Sequence, residues 1–133
     1  MLRLIDLIKL AGVELGRYKI HCATIPNPTS PPLEAFYDGE FKKWQEHQGH
    51  RNFQCENVLS LIQIERDKWM FAGVFRIDGV QTRDRNTWFE YRTTEIPGLE
   101  HLTGRAIITF DKKFRASYLK GESYGQSLIV SEI

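Results

Sequence analysis

Cys22, His47, His50 and Cys55 are the side chains in this sequence best suited to hold a metal. Imidazole and thiolate are zinc donors, but the HxxHxxxxC spacing from His47 to Cys55 matches no structural zinc pattern, and no CxxC pair accompanies it. Nor do these groups make a nucleophile with a base, because neither GxSxG nor HExxH occurs. Asp111-Lys112-Lys113 sets a carboxylate beside lysines, as metal-dependent nucleases do, but at a strand end such a triplet reads as a solvated turn. Gly121 and Gly125 flank Glu-Ser-Tyr in a loop without the strand-to-helix setting of a phosphate loop. The sequence therefore carries no catalytic constellation of its own and calls for no cofactor.

What it does carry is cations interleaved with rings. Arg83, Arg85 and Arg92 surround Trp88, Phe89 and Tyr91, and Lys112, Lys113, Arg115 and Lys120 surround Phe114 and Tyr118, with Tyr124 just beyond. Guanidinium and ammonium groups neutralise phosphates, and a ring offers a face on which an unstacked base can rest. The competing reading makes the alternate aromatics core and the charges their solvent-facing partners.

The elements that position these residues follow from the apolar spacing. Leu2, Leu4, Ile5 and Ile8 predict a helix over 2–11, with Gly12 as its C-terminal cap. Tyr18 to Thr24 predicts a short strand, and the proline-rich Ile25 to Pro32 a loop. Leu33 to Gln48 predicts an amphipathic helix, weakened or split at Asp38-Gly39, after which HQGHRNF unwinds it. Glu56 to Glu65 predicts a strand that turns into Asp67 to Val80 as a hairpin. The second arm, DKWMFAGVFRIDGV, is unusual because both alternate sets are largely apolar until Arg76, so both of its faces are expected to be buried. Gly73 in its middle predicts a bend. Further strands are expected over 86–94, 104–111 and 128–133, with a turn over 96–102.

A chain of 133 residues supports one core. Its 41% hydrophobic and 26% charged residues mark a globular protein, and a net charge of +1 leaves any nucleic-acid patch to local clustering. No apolar run approaches the ~20 residues that cross a bilayer, and MLRLIDLIKLAG lacks the features of a signal peptide, so no membrane partner is expected. Two cysteines make no disulfide framework, which points to a reducing cytoplasm. Few helices separate the late strands, which excludes a doubly wound sheet. The expectation is an α+β fold: a small, strongly curved mixed β-sheet or barrel with two or three packed helices.

Four pieces carry a resemblance: LIDLIKLAGVELGRYKI, FKKWQEHQG, the pair ENVLSLIQIE–WMFAGVFRIDGV, and GRAIITF…RASYLKGE…LIVSEI. In this order they resemble the amino-terminal domain of bacterial GIY-YIG nuclease family proteins, over essentially the whole chain. The catalytic motifs of that family are absent, and SLIVSEI reads as a strand that finishes as the chain stops. The resemblance implies a single recognition domain over residues 1–133 of PUA-like type (the EVE, YTH, ASCH and SRA group), covalently linked to a nuclease domain. It implies DNA as partner, with a modified cytosine sensed for restriction. In that setting Trp88, Tyr91 and Tyr118 are the expected ring walls, Thr93 and Ser117 the polar edge readers, and Arg83, Arg85, Lys112, Lys113 and Arg115 the backbone contacts, all chosen by residue type and position. The alternative is a protein-interaction or dimerisation module that positions the nuclease and has no nucleic-acid pocket.

Overall fold

The computed structural model describes residues 1–24, 32–83, 85, 88–112 and 116–133. In chain order its elements are α1 (Leu4–Leu10), β1 (Tyr18–Ala23), α2 (Pro32–Tyr37), α3 (Phe41–Glu46), β2 (His47–Gln48), β3 (Asn57–Glu65), β4 (Lys68–Arg83), β5 (Trp88–Glu95), β6 (Ile107–Thr109), β7 (Tyr118–Lys120), α4 (Gly121–Tyr124) and β8 (Ile129–Glu132). The sixteen-residue β4 organises the rest. β3 runs antiparallel along one edge of it, while β6 and β5 share the other edge end to end, at Lys68–Met70 and Phe75–Arg83. β1 joins β3 in parallel, β7 joins β1 antiparallel, β2 joins β5, and β8 joins β6. Among the described residues the result is one mixed eight-stranded sheet curled into a half-barrel, an α+β fold with four short α-helices where two or three helices were expected. The curl brings β2 and β7, the two ends of the strand path, close enough for Tyr118 Oη to donate to Gln48 Oε1.

The doubly apolar run is explained by a bulge. Ser60 pairs with Gly73 and Leu61 with Phe71, so Ala72 is the extra residue. Gly73 takes φ +120°, a conformation that side chains with a Cβ rarely adopt. The extra residue inverts the alternation. Trp69, Phe71 and Val74 face one core, under α1 with Leu4, Ile5 and Ile8. Met70, Ala72 and Phe75 face the other, under α2 and α3 with Phe41. Full burial of Phe71 on one side and Phe75 on the other contributes roughly 1.5–3 kcal/mol each, so the strand is held from both sides.

The helices are shorter than their apolar spacing suggested. α1 ends where Gly12, at φ +81°, donates to the Lys9 carbonyl. The expected helix over 33–48 is two helices, broken at Asp38-Gly39 with Gly39 at φ +75°. Its last residues, His47 and Gln48, are a strand on β5, because pairing with Glu90 and Phe89 satisfies their backbone better than another helical turn. The arginine run beyond Val80 continues β4 as far as Arg83, since β5 offers a partner for every residue there. Of the expected strand 104–111 Ile107–Thr109 is regular strand, while Gly104 and Ala106 bond Phe71 and Phe110 bonds Asp67 through the backbone on either side of it. The segment from Gly121 to Gly125, read as a loop, holds α4, and β7 leads directly into it. Among the described residues no helix is long and apolar enough to cross a membrane.

Candidate ring-lined site

A cluster of rings lies on one side of the sheet, beneath α3. His21, mid-strand in β1, is paired with Ser60 of β3 and Tyr118 of β7. Its imidazole stacks on Tyr118 at 4.7 Å and 13°, and on Trp44 of α3 at 6.0 Å and 10°. Phe53 closes the cluster edge-on, 5.8 Å from His21 and 5.3 Å from Tyr118. Trp44 and Tyr118 are half-buried, whereas His21 and Phe53 are buried.

Within this ring wall sits a polar network. Gln45, fully buried, follows Phe41 by one helical turn and so points to the same face of α3. Its Oε1 accepts from His21 Nδ1 at 2.6 Å and from Ser60 Oγ. Its carbonyl accepts from Gln48 Nε2 at 2.5 Å, and Gln48 Oε1 in turn accepts from Asn52 Nδ2 at 2.8 Å and from Tyr118 Oη. The Nε2 of Gln45 is buried and donates to no described residue. Burial pushes the His21 imidazole down to about 4 despite its bond to Gln45, and pushes the Tyr118 phenol up to about 12. Both rings are therefore uncharged at neutral pH; the faces of His21 are taken up by Tyr118 and Trp44, so the ring surface the site offers is that of half-buried Trp44 and Tyr118, beside amide dipoles with no fixed charge. That chemistry suits a planar, polar-edged, uncharged group.

The residues singled out in the sequence divide sharply. Tyr91 and Tyr118 come together on Phe53, at 5.0 Å and 5.3 Å. Tyr91 is largely buried, its hydroxyl accepts the Phe53 N–H at 3.1 Å, and with Phe53 it lines a concavity that runs to Arg51 and Arg17. Trp88 lies three residues along the regular β5 ladder from Tyr91 and thus on the opposite face, where it meets His47 edge-on at 6.1 Å. Thr93 is buried, and both its N–H and its hydroxyl donate to Glu46 Oε2, at 2.7 and 2.9 Å, which docks α3 on β5 and leaves no free edge reader. Ser117 contributes its carbonyl to the Cys22 N–H at 2.7 Å. Arg83 is tied to Glu90 at 2.6 Å. Arg85 is exposed at φ 59°. Lys112 is close enough for its charge to act on the Cys22 thiol. Lys113 and Arg115 lie outside the described residues.

His21, Trp44, Gln45 and Phe53 had not been singled out. The signals were present but weak: His21 is the one strongly polar side chain inside the apolar run IHCA, and Gln45 sits four residues after Phe41, where a core residue belongs. Among the described residues no cluster of histidine, cysteine and carboxylate side chains is arranged to bind a metal. The glycines of KGESYG serve packing, since a Cβ on Gly121 would lie 2.4 Å from the Tyr18 ring.

Comparison with protein-family models, with curated proteins and with solved structures returns no match.

Proposed function

We propose that the chain is a nucleic-acid recognition module of PUA-like type, in which the half-buried rings of Trp44 and Tyr118, at the margin of the cluster under α3, receive an unstacked base. The carrying observation is the buried Gln45 amide with an unused N–H, set among the stacked rings of His21, Trp44 and Tyr118. Removing a base from its stack costs a few kcal/mol, which ring stacking and edge hydrogen bonds offset. The sequence resemblance to the amino-terminal domains of GIY-YIG nucleases supports DNA as the target and a linked nuclease as the effector, with a modified cytosine as the base read. The test is anisotropy at low salt with plain duplexes and duplexes carrying 5-modified cytosine. Binding that weakens at least tenfold in Trp44→Ala supports the reading. Absence of binding to every duplex at low salt overturns it.

A second reading, a docking surface for another protein, is favoured by Trp88, which is 46% exposed on the face turned away from the ring cluster. Sedimentation as a dimer that Trp88→Ala converts to monomer supports it. Monomeric behaviour in isolation and with the linked domain rules it out.

A further inference from the structure

On the same face of the sheet as the ring cluster, Lys19 of β1 stands directly opposite Lys120 of β7. Like charges directly opposite across an antiparallel pair oppose folding, so this placement asks for an anion. The next pair on that face, two along the ladder, is His21 with Tyr118. Residues two apart on a strand share a face and are separated by about 7 Å. The two ammonium stems therefore begin one row from the rings.

Two further arginines join them. Arg17 precedes Lys19 by two residues, and it lines, with Lys19, Cys55 and Lys120, a concavity beside β1. A second concavity shares Arg17, Gln54 and Cys55 with the first and continues to Arg51. Arg17, Lys19, Arg51 and Lys120 make no ion pair with any described carboxylate, whereas Arg76 and Arg83 of β4 are tied to Asp78 and Glu90. The acids of the groove are Glu56, Glu122 and Asp78. Glu56 is occupied by the Arg17 N–H at 2.6 Å, and Asp78 by Arg76 and the Thr94 hydroxyl. Lys19 Nζ donates to the Asn52 carbonyl at 2.6 Å, which fixes one ammonium at the groove with further donors to spare.

We infer that this groove, and not the arginines of β4, is the phosphate track of the domain: Lys19 and Lys120 hold the phosphate next to a base that rests on the half-buried ring of Tyr118, and Arg17 and Arg51 extend the path. This rests on the nucleic-acid reading above. The row spacing favours a phosphodiester over an acidic peptide, because it sets paired cations one step from a stacking face.

The test uses the same duplexes, the variants Lys19→Gln/Lys120→Gln and Arg83→Gln/Arg85→Gln, and alkylation of Cys55 by N-ethylmaleimide, an uncharged probe. Cys22 is buried, so Cys55 alone reports. The expected result is at least tenfold weaker binding for the lysine pair, with a salt slope lower by about 2, near 0.9 per lost phosphate contact. Urea midpoints of that variant should be unchanged or higher, and saturating duplex should protect Cys55. Arg83→Gln/Arg85→Gln should stay within about threefold of the parent, the loss of exposed or paired charges. Duplex binding that depends on Arg83 and Arg85, with Cys55 unprotected, overturns the track and leaves the nucleic-acid reading standing. Protection of Cys55 by polyglutamate, with no duplex bound at low salt, overturns both and assigns the groove to an acidic protein.

Discussion

The Nδ1 atom of His21 lies 2.6 Å from Gln45 Oε1, and neither side chain reaches water. The imidazole is held neutral because burial penalises its charged form, with its pKa lowered from 6.5 to about 4. The unfolded chain takes up a proton near pH 6.5 that the folded chain refuses until about pH 4. This contribution to stability is therefore complete above pH 6.5 and is lost as the pH falls to about 4. At about 1.4 kcal/mol per pH unit the loss is on the order of 3 kcal/mol. Urea unfolding across this range should show the decline in the parent, and His21→Phe should flatten it. An equal pH slope in both proteins would sink the assignment.

Gly73→Ala should destabilise the chain by on the order of 1–3 kcal/mol, the strain of φ +120° on a residue with a Cβ. Space is not the cause, since the nearest atoms to that Cβ, on Glu95 and Phe75, lie at 3.4 Å. Equilibrium denaturation checks it: the midpoint should fall with the m-value unchanged.

Gly121→Ala should cost roughly 1–3 kcal/mol by overpacking, because the added methyl meets the Tyr18 ring at 2.4 Å. The ring is also anchored by its hydroxyl to the Gly121 carbonyl at 3.2 Å. In a double-mutant cycle with Tyr18→Ala the penalties should be strongly non-additive. Simple additivity would mean that the ring moves aside freely.

Thr93→Val should lower stability by about 1 kcal/mol through loss of the hydroxyl bond to Glu46, while nucleic-acid affinity stays within about twofold. A large loss of affinity at unchanged stability would return Thr93 to the site.

Cys55 is half-buried and hydrogen-bonded to the Asn57 carbonyl at 3.2 Å, while Cys22 is buried, with its thiol pushed up to about 12 by burial. Native alkylation followed by mass spectrometry should add one label, and denaturation should add the second. Two labels on the native protein would contradict the packing of Cys22.

Much of this fold is legible in the sequence. Apolar spacing and glycine mark α1 and its stop, Asp38-Gly39 marks the break between α2 and α3, and the alternation of β3 and the turn after it mark the central hairpin. The doubly apolar run announces a strand buried on both faces, and Gly73 announces where it bends, because only glycine adopts that φ at little cost. The site was less legible because its residues are joined by pairing and not by sequence. Nothing local sets Lys19 opposite Lys120, or His21 against Tyr118; the antiparallel pairing of β1 with β7 does that across about a hundred residues. The basic-aromatic segment after Val80 was locally conspicuous, yet strand alternation sends Trp88 and Tyr91 to opposite faces and an ion pair occupies Arg83. Sequence composition determines which segments must be covered, since burial depends on apolar area. Which polar side chains end up together under that cover is decided only when the sheet curls and its two ends meet at Tyr118 and Gln48.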